Sequence, residues 1–282
     1  MRRAILPFIL FLLSSSVFAQ SSFRFSYLFY AKRDVADEKY HTSDMKLDFD
    51  GRTTFFYNEN GFKRDSLDVI AFDGSGNIID EEAYGKRTRI QAVGSSMISW
   101  VDFEQRTFTV CYAEPATFIG SMPMELPQWE FTGEEETITG YSCKIAKGRY
   151  LGREWTVWYT EDIPVNVGPW LLWGTPGLIV KATDSEHIFY FELFAVERIA
   201  ASRLKDELSY RETINSRSHR KLFDMDMKGM ETMHTRYNRD SDYMERIHGI
   251  TGGYIEDRNG NRKEISRTNP YIPLISDDFW KK

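Results

Sequence analysis

Apolar and polar residues alternate with a period of two along much of this chain, which is typical of strands with one buried face. Four aromatic residues show the pattern near the start of the chain: Phe23, Phe25, Tyr27 and Phe29. Tight-turn dipeptides that favour hairpins are Asp50-Gly51, Asn60-Gly61, Asp73-Gly74 and Asn259-Gly260. Further strands are predicted at Met97–Phe103, Arg106–Tyr112, Gln128–Phe131, Thr137–Ala146, Arg153–Tyr159, Leu178–Thr183 and Ile188–Ile199. Sheets of this size usually curl or close, so we predict a mainly β protein: a curved antiparallel sheet or half-barrel.

One segment has a helical pattern instead. Between Ser218 and Met233 the chain is charged, and apolar residues recur at helical spacing. Ser218 is the predicted N-cap, and Gly229 weakens the helix by about 1 kcal/mol relative to alanine. We expect this helix to pack on the sheet.

The first residues have the organisation of a secretory signal peptide. Arg2 and Arg3 precede the apolar run Ala4–Leu13, and Val17-Phe18-Ala19 supplies small residues for cleavage. We predict cleavage after Ala19, which leaves residues 20–282 as a single domain in the periplasm or outside the cell. No later run reaches the roughly 18 apolar residues that a transmembrane helix needs.

The chain contains two cysteines, Cys111 and Cys143. An exported protein meets oxidising conditions, so we predict a disulfide between them. Free thiols and a metal site are the alternatives, although two cysteines without a nearby histidine make a poor zinc site.

Charge and motifs limit the classes of function. The formal net charge is −6, and removal of Arg2 and Arg3 with the signal peptide makes it −8. A nucleic-acid partner is not expected, because such binding needs a basic face. The sequence has no serine-hydrolase elbow, zinc-protease motif or phosphate-binding loop. We therefore expect neither an enzyme nor a cofactor.

The most distinctive stretch is Gly168–Lys181, which contains Gly174-Thr-Pro-Gly-Leu-Ile179. With the upstream segments Gly140–Ala146 and Gly152–Pro164, and with Asn269-Pro-Tyr-Ile-Pro273, it resembles the GLPGLI family of secreted Bacteroidetes proteins. Thr175 stands where that family has leucine. The resemblance implies a cell-envelope setting but no established activity. The topology also resembles the half-barrels of periplasmic lipoprotein carriers, which wrap a curved sheet around an apolar cavity.

Aromatic and apolar residues around this stretch are the candidate ligand-binding residues. They are Trp155, Trp158, Tyr159, Trp170, Leu171, Leu172, Trp173 and Pro176. Two interpretations are open: an apolar lip that holds a ligand, or a structural plug that seals one end of the barrel. The plug is favoured because large aromatic side chains are usually buried.

A methionine cluster is the second candidate site. Its members are Met225, Met227, Met230, Met233 and His234. Thioethers and imidazole select Cu(I), which would make this a Met-rich copper-binding protein. The same spacing is also that of the inward stripe of an ordinary helix, and this interpretation is favoured.

The sequence leaves three functions to compare. A non-catalytic binder or carrier of an apolar ligand, lipid-like or peptide, is favoured, with Phe25, Tyr27 and Val157 also on the predicted inner face. An accessory protein of envelope transporters is the first alternative, and the copper-binding protein is the second.

Overall fold

The computed structural model of the chain describes residues 22–90, 95, 97–112, 117–200, 222–240, 254–256, 262–264 and 271–281. Its strands are β1 (Ser22–Ala31), β2 (His41–Phe49), β3 (Thr53–Asn58), β4 (Met97–Asp102), β5 (Thr107–Tyr112), β6 (Thr117–Pro123), β7 (Glu130–Ile138), β8 (Tyr141–Tyr150), β9 (Arg153–Thr160), β10 (Leu178–Asp184), β11 (Phe189–Ile199), β12 (Leu222–Asp226), β13 (Tyr254–Glu256) and β14 (Arg262–Glu264). Its helices are α1 (Glu59–Ala71), α2 (Glu81–Arg89), α3 (Met227–Arg239) and a 3-10 helix at Asp277–Lys281. The predicted signal peptide lies outside the described residues and stays a prediction.

Twelve strands form one curved, unclosed sheet, which confirms the predicted fold class. Its order is β12-β6-β5-β4-β3-β2-β1-β11-β10-β9-β8-β7. The sheet therefore consists of two antiparallel meanders, β1–β6 and β7–β11, that join where β1 pairs with β11. Among the described strands, the short β12 alone is parallel to its neighbour, β6. Strands β13 and β14 form a separate pair.

The main core lies on the inner face of the sheet. Alternate residues of both meanders meet there, as the period-two pattern predicts. Phe25, Tyr27 and Leu47 from the first meander share one buried cluster with Trp155 and Val157 from the second. Helix α3 packs against the inner side of β5 and β6. A Cβ atom at Gly120 on β6 would lie 2.6 Å from the Met230 Cβ, so this contact requires glycine.

A second, smaller cluster lies beneath α1 on the other side of the first meander. Phe62 of α1 packs there against residues from β3 to β6, which are Phe55, Tyr57, Ile98, Trp100, Cys111 and Ile119. The sequence interpretation of Asn60-Gly61 as a hairpin turn is wrong, because both residues lie inside α1. The Asn58 side chain accepts a hydrogen bond from the Gly61 N–H at 2.9 Å and caps the helix.

Two other predicted boundaries were also wrong. The helix predicted from Ser218 begins at Met227, since residues 222–226 form β12 and the Asp226 carboxylate accepts from the Gly229 N–H at 2.6 Å. The predicted strand Thr137–Ala146 is a hairpin, in which Thr139 and Gly140 take positive φ angles and turn β7 into β8.

The predicted Cys111–Cys143 disulfide was wrong as well, because no disulfide joins the two residues. Cys111 packs beneath α1, whereas Cys143 belongs to the main core. Seven strands lie between β5 and β8 in the sheet order, and adjacent strands are about 4.8 Å apart. A disulfide needs Cα atoms within about 7 Å. Burial raises the pKa of the Cys143 thiol to about 11.

Candidate functional site

The first half of the Gly168–Lys181 loop, called here the signature loop, is a plug. Trp170, Leu171 and Leu172 are each at most 1% exposed and belong to the main core. The backbone of the loop passes so close to neighbouring atoms that only glycine fits at some positions. A Cβ atom at Gly177 would lie 1.9 Å from the Thr160 carbonyl oxygen.

The predicted lining of a ligand cavity is packed core. Trp155 and Tyr159, like Val157 between them, are at most 3% exposed. The Trp155 ring lies 6.1 Å from the Trp170 ring and 6.3 Å from the Phe191 ring. These side chains therefore contact one another rather than a space for a ligand.

Trp158 lies on the opposite face of β9, as the alternation predicts. Its indole N–H donates to the Glu136 carboxylate at 2.7 Å, and the Lys181 ammonium lies 4.4 Å from its ring. The side chain is half-buried.

Two residues of the signature loop, Trp173 and Pro176, reach the surface. Trp173 is half-buried and Pro176 is exposed. The Trp173 ring packs edge-on against Phe103 at 5.7 Å, and the Trp129 indole N–H donates to the Trp173 carbonyl at 2.8 Å. Leu126, 64% exposed, lies between two residues that contact this loop. We call Phe103, Leu126, Trp129 and Trp173 the apolar rim.

The polar groups of the rim are satisfied from within the protein. The Trp173 indole N–H donates to the Glu125 carbonyl at 3.1 Å and contacts the Tyr150 hydroxyl at 3.2 Å. Burial raises the pKa of Tyr150 well above its ordinary value, so that hydroxyl stays neutral. Because both rim indoles have internal partners, the surface that they present outward is apolar ring.

The methionine cluster is divided between two elements. Met225 lies on β12, whereas Met227 and Met230 are buried on α3 against Gly120. Met233 is partly buried against the core. The four thioethers therefore belong to packing contacts rather than to one shared site.

His234 is held by protein partners at both ring nitrogens. Nδ1 lies 3.1 Å from the Tyr271 hydroxyl, and Nε2 lies 3.2 Å from the Asn238 amide nitrogen. Burial lowers the pKa of His234 to about 3, so the ring is neutral. Among the described residues, no group of three or more His, Cys, Asp or Glu side chains is arranged to hold a metal ion.

Sequence reasoning missed a buried carboxylate beside His234. Glu231 is 3% exposed, and its Oε1 accepts from the Tyr112 hydroxyl at 3.2 Å. No described residue hydrogen-bonds to its Oε2. Burial, with a smaller effect of Asp277, raises the pKa of Glu231 to about 8. The signal was in the sequence, since Glu231 lies on the same helical stripe as Met227 and His234.

A segment that follows the sheet in the sequence contacts both helix α3 and strand β9. Residues 271–281, called here the strap, cross from α3 to the start of β9. Arg153 donates from Nε to the Leu274 carbonyl at 3.0 Å and from Nη2 to the Pro273 carbonyl at 2.7 Å. Its Nη1 contacts the Asp184 carboxylate at 3.2 Å. The strap thus joins Tyr271–Pro273, the described part of the Asn269–Pro273 motif, to the Gly152–Pro164 motif.

A depression of about 320 Å³ lies beside the strap. Its charged lining has both signs: Arg153, Glu186, Arg239, Asp277, Asp278 and Lys281. None of the sequence-predicted binding residues lines it. None of the helices in the described residues combines the length and apolar character that crossing a bilayer requires.

Comparison with known proteins gives one short family match. A family described as "Protein of unknown function (Porph_ging)" matches residues 152–181, which include the whole signature loop. The match covers part of the stretch on which the GLPGLI resemblance rests, and the GLPGLI assignment itself stays a prediction. No curated protein matches the chain.

Solved structures with a related arrangement are more distant. PNGF-II has a TM-score of 0.48 and 16% identity, over 76% of this chain and 33% of its own chain. The chain therefore spans about a third of the length of that structure. A DUF1329 family protein from Desulfovibrio piger has a TM-score of 0.25 and 10% identity, over 72% of this chain and 96% of its own. Similarities at this level do not extend to function.

Proposed function

We propose that this protein is a non-catalytic binder that holds an apolar segment of a peptide or lipid-like ligand against the apolar rim. The proposal rests on the hydrogen bonds that hold the Trp129 and Trp173 side chains in place. Their N–H groups are bonded inward to carbonyls, so the outward ring surface offers a ligand no hydrogen-bond donor. Rigid aromatic surface of this kind loses little conformational entropy on binding.

The packing of the interior favours the rim over a cavity. The residues that a carrier would use for its lining contact one another instead. A ligand at the rim meets Leu126, which is largely exposed although it is apolar. A cluster of apolar side chains at the surface is typical of a binding site.

An envelope protein could supply the apolar segment, in line with the predicted export of the chain. This accessory role is the second candidate, and the same exposed Leu126 supports it. The accessory role and the role of a lipid binder differ in the ligand. An accessory protein should bind an apolar peptide, whereas a lipid binder should bind a phosphatidylcholine vesicle or a free acyl chain.

The test is the binding of the dye 1-anilinonaphthalene-8-sulfonate to the whole chain and to variants. Leu126→Glu places a charge on the rim without touching the core, and Trp173→Ala removes one of its two indole rings. We expect each to weaken dye binding at least tenfold, or about 1.4 kcal/mol. We expect Trp173→Ala to cost less stability than the ~3–5 kcal/mol of a fully buried aromatic residue.

Trp158→Ala is the matched control, because Trp158 is also half-buried and bonded at its N–H but lies away from the rim. It should leave dye binding within twofold. The proposal is wrong if the unmodified protein does not bind dye, or if the control loses as much binding as the rim variants.

A further inference from the structure

Strand β7 is the end of the sheet and hardly contributes to the core. Eight of its nine residues are exposed, and Ile138 alone is buried. Phe131 is 54% exposed and contacts Tyr159 at 5.8 Å between ring centroids. A strand exposed on both faces gains little from burial to offset the entropy of its ordering.

The outer edge of β7 carries unpaired backbone groups at known positions. Thr139 and Gly140 form a two-residue hairpin turn with positive φ angles, so Ile138 and Tyr141 are a hydrogen-bonded pair. Pairs alternate from there, and Glu135 and Thr137 fall on the positions that do not bond to β8. Their N–H and C=O groups therefore point away from the sheet, where no described strand pairs with them.

The edge is acidic. The nine residues include Glu130, Glu134, Glu135 and Glu136 and no lysine or arginine. Glu135 and Glu136 are successive residues of the regular ladder, so both faces of an added strand would meet a carboxylate. Glu134 lies in the stretch between Phe131 and Glu135 where the pairing with β8 shifts register. A second copy of β7 would place glutamates opposite glutamates, which is destabilising. Self-pairing is therefore disfavoured, whereas a basic strand is complementary.

We propose that β7 binds an extended lysine- or arginine-rich segment of a partner protein by strand addition, centred on Glu134–Thr137. Backbone hydrogen bonds to residues 135 and 137 would give the affinity, and the three consecutive glutamates would select basic side chains. This inference is independent of the apolar rim.

The probe is a backbone-cyclised β-hairpin whose outer strand reads Thr-Lys-Val-Lys-Val-Lys-Thr, labelled for fluorescence anisotropy at about 0.15 M salt. The hairpin is preorganised, which lowers the entropic cost of pairing. Two matched hairpins serve as controls. One has N-methyl groups on the pairing edge and the same charge, and the other has glutamate in place of lysine. We expect the first hairpin to bind and both controls to bind at least tenfold more weakly.

Substitutions in β7 itself test the same edge independently of changes in the hairpin. Glu135→Pro removes an outward N–H without breaking the ladder to β8, and Glu135→Gln removes the charge alone. We expect proline to weaken hairpin binding at least tenfold and more than glutamine does. Charge reversal of Glu81 and Glu82 on α2, both exposed, should change binding less than twofold. Far-UV circular dichroism and the melting temperature show that each variant is folded.

The proposal is overturned if the N-methylated hairpin binds as tightly as the parent, because attraction between charges would then suffice. It is equally overturned if Glu135→Pro leaves binding unchanged, or if no binding occurs below about 1 mM. Trp173→Ala should bind the hairpin normally, so a failure at the rim and a failure at the edge are distinguishable.

Discussion

Glu231 and His234 lie one helical turn apart, and burial moves their pKa values in opposite directions. The pKa of Glu231 is raised to about 8 from 4.5, and that of His234 is lowered to about 3 from 6.5. Both groups are therefore neutral at pH 6 in the folded protein. Tyr112 contacts both of them, since its hydroxyl bonds to Glu231 and its ring stacks on His234 at 3.6 Å.

These shifts predict the dependence of stability on pH. The contribution of Glu231 is complete below pH 4.5 and is lost as the pH rises to about 8. The contribution of His234 is complete above pH 6.5 and is lost as the pH falls to about 3. Of these two contributions, only that of Glu231 changes between pH 6.5 and 8, and it should lower the free energy of unfolding by up to about 1.4 kcal/mol per pH unit.

Glu231→Gln should remove this alkaline loss, because glutamine does not ionise. Urea unfolding of both proteins at pH 6.5, 7.25 and 8 measures the effect. An equal slope in the two proteins would show that Glu231 is not the group that titrates.

At the scale of elements, the sequence predicted the Asp50-Gly51 hairpin turn correctly, but it did not predict the cap of helix α1. Asp50-Gly51 joins β2 and β3 as expected. Asn60-Gly61 has the same composition, but it follows Asn58, which caps α1. The first turn of a helix and a hairpin turn favour the same small polar residues, so only the thirteen residues that follow distinguish them.

The signature loop is the element that most depends on glycine. We expect Gly177→Ala to lower the free energy of unfolding by more than 3 kcal/mol, because the new methyl group would collide with the Thr160 carbonyl, which is backbone and cannot move away. Urea unfolding measures the loss. Gly85→Ala is the control, since Gly85 lies in α2 with open space around it. Alanine should stabilise that helix by up to about 1 kcal/mol, and a similar loss in both variants would contradict the prediction.

At the scale of the whole molecule, the sheet was predictable, whereas its order and its strap were not. The alternation in β1 and β9 identifies buried faces from neighbouring residues alone. The contact between Arg153 and Pro273 joins residues 120 positions apart, and no local pattern encodes it. The same reason explains the wrong disulfide, because spacing along the chain does not say which strands become neighbours. It also explains why the sequence left the loop interpretation open between plug and lip. The structure buries Trp170, Leu171 and Leu172 in the core, and the ligand-binding role of the loop stays a proposal.

Arg153 holds the strap through two carbonyl groups and one buried carboxylate. Removal of its guanidinium in Arg153→Ala should cost about 3 to 5 kcal/mol, the usual loss when one partner of a buried ion pair is removed. The strap should then become accessible to protease between residues 271 and 281. Limited proteolysis with mass analysis measures this.

Arg153→Lys is the informative comparison. One ammonium group cannot reproduce the forked donation to the Leu274 and Pro273 carbonyls, so we expect it to restore only part of the protection. Full protection in the lysine variant would show that charge alone holds the strap.

The pairing of β1 with β11 joins Ser22 to Ile199 in the middle of the sheet. A nascent chain can form each meander from neighbouring hairpins, but the β1–β11 pairing, called here the seam, can form only after both meanders are complete. Contacts so distant in sequence slow folding, and until the seam closes two long strands are left with open edges. Two such chains at high concentration can each supply the strand that the other lacks. The seam is therefore the place where this fold is open to domain swapping.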